Sequence, residues 1–163
     1  MILVADSSPL IFLAKINQLS LISNLFNAKI IIPSQVKKEI IGSKVPPEEE
    51  LLLTKFLSNR KIVNLRKPDI FAGALSFADN CVLSLAHKEQ ADIILSDDRL
   101  LRKVAVLEGF GVIGTLGILF HARKRSLLSR KKVLDLFGQL IEEHNFRIST
   151  SVYEAARKAI VAI

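Results

Sequence analysis

Short apolar runs alternate with helix-like segments along almost the whole chain, and that alternation constrains the fold more than any other feature. The first run, Ile2-Leu3-Val4, has the make-up of a buried strand. It must end near Asp6, because Ser8-Pro9 reads as a helix N-cap followed by proline at the first helical position. Further strands are predicted at Ala28–Ile32, Lys61–Leu65, Ala91–Ser96 and Gly111–Thr115. Helices are predicted at Leu19–Phe26, from Ser34 to Gly42, from about Glu48 to Asn59 and over Leu75–His87. Three more follow at Arg99–Glu108, Leu116–Arg125 and, capped by Ser129, through about Glu143. Ser151 with Glu154 fits a capping box for a terminal helix, and residues 43–50 (SKVPPEEE) read as a mobile loop. Strands alternating with helices in this way predict an α/β fold, a parallel sheet covered on both faces.

Composition narrows the class. The chain has 163 residues, half of them hydrophobic, which is enough for one domain with a substantial core and excludes disorder. No apolar stretch is long enough to span a membrane, and Asp6 falls too early for a signal peptide, so a cytoplasmic protein is expected. The single cysteine, Cys81, excludes an internal disulfide framework and a zinc site built on several thiolates. The net charge of +7 is unevenly placed. Residues 1–98 carry 11 basic and 11 acidic residues, whereas residues 99–163 carry 12 against 5. Basic clusters stand at Arg99, Arg102 and Lys103, at Arg123, Lys124 and Arg125, and at Arg130, Lys131 and Lys132. Such clusters suit a phosphate backbone; a solvated helical face is the ordinary alternative.

The acids share a placement. Asp6 follows the first strand, Glu39 borders the Val36/Ile40 stripe of the helix after the second, Asp79 lies at a helix entry, and Asp97-Asp98 follow a later strand. In a parallel sheet the strand ends point one way, so these carboxylates can converge. Each also has a plain structural use: Asp6, Asp79 and Asp97-Asp98 can cap helices, and Glu39 can be a solvated helix residue. Converging carboxylates repel unless a cation neutralises them. With no cysteine or histidine in the set, Mg²⁺ or Mn²⁺ is favoured over zinc. A carboxylate cage around such an ion suits phosphodiester hydrolysis.

Five segments, VADSSPLIFLAKI, IPSQVKKEI, ADNCVLSLA, ADIILSDDRLLRKVA and VIGTLGILFHARKRSLL, resemble the PIN-domain family in order and spacing along nearly the whole chain. They are most similar to the branch with a strand-end Asp-Ser-Ser-Pro and a Gly-Thr-Leu-Gly turn. The resemblance implies a three-layer α/β/α fold with a mainly parallel sheet over residues 1–163, with a helical extension from about 126. It also implies a metal-dependent endoribonuclease, often the toxin of a toxin–antitoxin pair. By position, Asp6, Glu39 and Asp79 match the first three family acids, Asp98 or its neighbour Asp97 the fourth, and Ser7 and Ser96 small hydroxyl positions beside the metal. Ala78-Asp79 departs from the Gly-Glu more usual in this branch, although other PIN branches use Asp here.

RNA, a protein antitoxin and a second copy of the chain are therefore the expected partners. His87, His121 and His144 are expected to have surface or packing roles and no part as a general base. The alternative is a PIN fold that binds RNA or a protein without cutting. A phosphotransfer or receiver-type domain is disfavoured, because Asp6-Ser7-Ser8 lacks the second Asp of an Asp-x-Asp pair.

Overall fold

A computed structural model describes all 163 residues. In chain order the elements are β1 (Ile2–Ala5), α1 (Ser7–Lys15), α2 (Ser20–Leu25), β2 (Lys29–Pro33), α3 (Ser34–Gly42), α4 (Pro47–Ser58) and β3 (Lys61–Val63). They continue with α5 (Phe77–Lys88), β4 (Ile93–Leu95), α6 (Arg99–Leu107), β5 (Gly111–Ile113), α7 (Thr115–Lys124), α8 (Arg130–Glu142) and α9 (Thr150–Ala162). The five strands form one sheet in the order β3-β2-β1-β4-β5, and every pairing is parallel. Val4 lies between Ile31 and Ile94, which puts β1 at the centre.

The apolar runs form strands because both faces of the sheet are covered. Leu3, Val4 and Ala5 are wholly buried, as are Ile31, Ile32, Ile94 and Leu95. Each large side chain among them contributes roughly 1.5–3 kcal/mol relative to exposure. Right-handed crossovers place the β1–β2 and β2–β3 connections on one face and the β3–β4 and β4–β5 connections on the other. The packing agrees: α1 rests against α4 and α7, while α5 lies across β1, β2 and β4. Burial nearly all round α5, from Asn80 to Ala86, follows from its unbroken run of small and apolar residues.

Several boundaries differ from the sequence reading. Helix α1 starts at Ser7, so Asp6 is its N-cap in place of Ser8. Only residues 43–46 remain as a connection ahead of α4, because Pro47 starts that helix and Glu48, Glu49 and Glu50 fill its first turn. Three acids there complement the helix dipole, and Glu49 pairs with Lys15 of α1 at 3.2 Å. The last helix is capped by Ser149, whose hydroxyl accepts from Val152 N–H, so the Ser151–Glu154 capping box does not form. Strand β3 is shorter than Lys61–Leu65, since Leu65 C=O leaves the ladder to accept from the Gln35 side chain at 2.8 Å. No helix is long and apolar enough to cross a membrane.

Candidate active site

The strand order fixes where a site belongs. The chain builds outward from β1 to β2 and β3, then returns across the sheet to β4 and β5. The reversal leaves a switch point between β1 and β4, and ligands of open α/β sheets bind there, beyond the carboxyl ends of the strands. Asp6 directly follows β1 and Ser96-Asp97-Asp98 directly follow β4. Helices α1 and α6 start at the same edge, with their positive dipole ends beside these acids.

Asp6 is the centre of the cluster and is only 5% exposed. One carboxylate oxygen accepts from Ser7 N–H at 2.7 Å, and the other from the Ser96 hydroxyl at 2.9 Å. Burial raises its pKa to about 6; the bonds from Ser96 and Ser7 oppose that rise, and the charges of Asp79 and Glu39 add to it. The charges of two acids from two other segments therefore bear on Asp6. Ser7 links two of them directly, its hydroxyl donating to Glu39 Oε2 at 2.7 Å. Asp79 is positioned by a reciprocal capping box: its Oδ2 accepts from Ser76 N–H while the Ser76 hydroxyl accepts from Asp79 N–H. The side chains are not closed into a cage, since no three His, Cys, Asp or Glu stand within ligating reach of one point.

The two aspartates after β4 have different duties. Asp97 accepts from Thr115 N–H at 2.8 Å and from the Thr115 hydroxyl at 2.6 Å, so both its oxygens are engaged. Burial raises its pKa, against which the Thr115 bonds and the Arg102 charge act. Arg102 also donates to Ser96 C=O at 2.9 Å. Gly114 lets this knot close: a Cβ there would lie 2.5 Å from Asp97 Oδ1, 2.8 Å from Arg102 Nη1 and 3.0 Å from Ser96 O. Asp98 caps α6 through one oxygen, accepting from Leu101 N–H at 2.7 Å. Its backbone N–H donates to the same Ser96 hydroxyl that donates to Asp6. Asp98 thus joins the Asp6 cluster through Ser96, whereas Asp97 is turned to Thr115.

Every helix-capping use foreseen for Asp6, Asp79 and Asp98 is realised, and capping does not exhaust these groups. Asp79, Asp98 and Glu39 each keep one carboxylate oxygen that accepts from no protein donor. Capping therefore fixes the carboxylates in place and leaves oxygens to spare. An all-oxygen donor set of this kind fits a hard divalent cation. Thr115 and Arg102 were missed as site-supporting residues, and their contacts with Asp97 and Ser96 span separations that no local pattern reveals. The Gly-Thr of VIGTLG, flagged as a turn, was the one signal available.

Comparison with known proteins follows the same line. A family model described as "PIN domain" matches residues 2–161. A solved PilT N-terminus domain protein from the hyperthermophilic archaeon Sulfolobus solfataricus P2 superposes with a TM-score of 0.55 at 14% identity, over 72% of this chain and 90% of that one. A domain of a functionally unknown protein from Methanocaldococcus jannaschii DSM 2661 aligns at 18% identity over 70% of this chain and 91% of that one, with a TM-score of 0.47. No curated protein matches the chain significantly. PIN domains are in general nucleases that depend on divalent metals. On a family match spanning nearly every residue, and a parallel sheet that gathers acids at its switch point, this chain belongs to the PIN-domain family.

Proposed function

We propose that the chain is a metal-dependent endoribonuclease whose working carboxylates are Asp6, Glu39, Asp79 and Asp98. The observation that supports this most is Asp6, buried at the end of the central strand, hydrogen-bonded to Ser7 and Ser96, with the charges of Glu39 and Asp79 bearing on it and its pKa raised to about 6. A buried acid flanked by two others is poorly stable alone, and a cation relieves both the desolvation and the repulsion. Mg²⁺ or Mn²⁺ fits the donor set and, when bound, supplies an acidified water and charge neutralisation at the phosphate.

The protein's own groups do the rest. Asp6 is locked by Ser7 and Ser96, so its carboxylate is already oriented before substrate arrives. Glu39, Asp79 and Asp98 bring free oxygens to the same edge, where one of them can orient an attacking water. Asp97 holds the β4 turn against Thr115 and stays outside the chemistry. Of the basic residues in 99–163, Arg99 stands next to Asp98 at this edge and favours approach of an RNA backbone without choosing its sequence. The reading extends to the toxin half of a toxin–antitoxin pair acting as a homodimer. Exposed Ile41 and Leu51 are apolar groups such contacts could cover, and a monomer by light scattering at micromolar concentration would overturn the dimer.

One observation favours a second reading, an RNA- or protein-binding module that does not cut: Asp6, Asp79 and Asp98 all serve as helix caps and would be kept for that alone. Calorimetric titration of Mn²⁺ into metal-free protein separates the two. Saturable binding that Asp6→Asn removes supports the enzyme. Absence of binding by folded wild type favours the module.

A further inference from the structure

Beside the acids lies a cleft of about 1040 Å³, just above the ~300–1,000 Å³ typical of ligand pockets. Asp97 and Asp98 line it where β4 ends, and α6, α7 and the segment leading into α9 form its walls. Three arginines reach it: Arg99 and Arg102 from α6, and Arg147 from the connection between α8 and α9. Arg102 is committed to Ser96 C=O and to the charge of Asp97. Arg99 and Arg147 are exposed and donate to no protein group. His121, also exposed, adds a planar ring to the same cleft.

The wall bearing Arg147 is preformed. Phe146 N–H donates to Leu140 C=O at 2.8 Å, and the buried Phe146 ring meets Phe12 edge-on at 4.8 Å. Two residues after Arg147, Ser149 caps α9. The cleft therefore combines an apolar floor, unpartnered guanidiniums and a planar ring, and it is continuous with the acidic cluster through Asp98 and Ser96. Phosphates seek the guanidiniums, and unstacked bases seek the ring and floor.

We propose that this cleft holds the single-stranded RNA nucleotides that flank the scissile bond, with Arg99 and Arg147 on their phosphates and His121 against a base. This inference rests on the nuclease reading above and assigns the C-terminal segment a role in holding substrate. A duplex would present its bases already stacked and paired, so the cleft selects single strands.

The test measures binding without turnover. A short fluorescein-labelled single-stranded RNA of mixed sequence is titrated in EDTA, by anisotropy, with wild type, Arg99→Ala/Arg147→Ala and Arg130→Ala/Lys131→Ala. The last pair removes the same charge from the exposed start of α8, outside the cleft. All the substituted side chains are exposed, and thermal melts confirm that each variant folds. The cleft pair should lose about tenfold in affinity, with the salt slope reduced by roughly 0.7 per arginine removed. The α8 pair should change by less than about twofold on the same scale. Equal losses in both pairs, an unchanged cleft pair, or a wild type that leaves the RNA free would each overturn the proposal. Wild type that binds through the cleft but never cleaves with metal would instead refute the nuclease reading and leave the cleft assignment standing.

Discussion

Asp6→Asn should make the metal-free protein more stable while removing its function. Ionising Asp6 is disfavoured in the fold, chiefly because the carboxyl is buried, and its pKa rises from 3.8 to about 6. The folded state therefore binds this proton more tightly than the unfolded chain does. The associated stability is fully present below about pH 4 and is lost as the pH rises through about 6. A shift of about two units corresponds to roughly 3 kcal/mol missing at pH 7.5. Asparagine matches aspartate as an N-cap, so the bond from Ser7 N–H survives, and the Ser96 hydroxyl can accept from the new amide. The neutral variant should recover about 1–3 kcal/mol, a rise in melting temperature of roughly 2–4 °C for each kcal/mol in a chain of this size. The assay is paired urea and thermal unfolding of both proteins in EDTA at pH 7.5 and pH 4.5. A gain at pH 7.5 that shrinks at pH 4.5 is expected. An Asn variant less stable at pH 7.5, or a difference indifferent to pH, would refute the account of Asp6. Added Mn²⁺ should then raise the melting temperature of wild type alone.

Three further outcomes follow from the knot behind β4. Thr115→Val keeps the shape of a fully buried side chain but deletes the hydroxyl bond to Asp97, so urea unfolding should show a loss of about 1.5–3 kcal/mol. Gly114→Ala drives a methyl into Asp97, Arg102 and the Ser96 carbonyl, and should cost at least about 1–3 kcal/mol in the same experiment; a neutral result would mean that the knot is loose. Asp98→Asn should lower metal-dependent cleavage about a hundredfold or more with little change in melting temperature, whereas Asp97→Asn, at a carboxylate whose two oxygens are both engaged by Thr115, should lower cleavage less than about tenfold. The reverse pattern would exchange the roles assigned to the two neighbours.

Much of this was legible in the sequence, for identifiable reasons. Ile2–Val4, Ile30–Ile32 and Ile93–Leu95 are continuous apolar runs, which a doubly covered parallel sheet requires, so the strands and the acids following them could be placed. The strand order could not be read, because it depends on which side of β1 each crossover lands. With it went the switch point that sets Asp6 beside Ser96. Asp97 and Asp98 were indistinguishable as neighbours. Their separation depends on Thr115, eighteen residues on, and on Gly114 making room for it. At the terminal helix the local pattern pointed to Ser151, whereas Ser149 is the cap, three residues after Phe146, which packs against Phe12. The cleft with Arg99, His121 and Arg147 was invisible, since its walls come from distant segments.

The most direct test of the central claim is cleavage of a mixed single-stranded RNA by the purified protein, with Mg²⁺ or Mn²⁺ and with EDTA, alongside folded Asp6→Asn. Cleavage that requires the metal and vanishes in the variant is the predicted result. Undiminished cleavage by Asp6→Asn, or no cleavage by folded wild type with either metal, would contradict it.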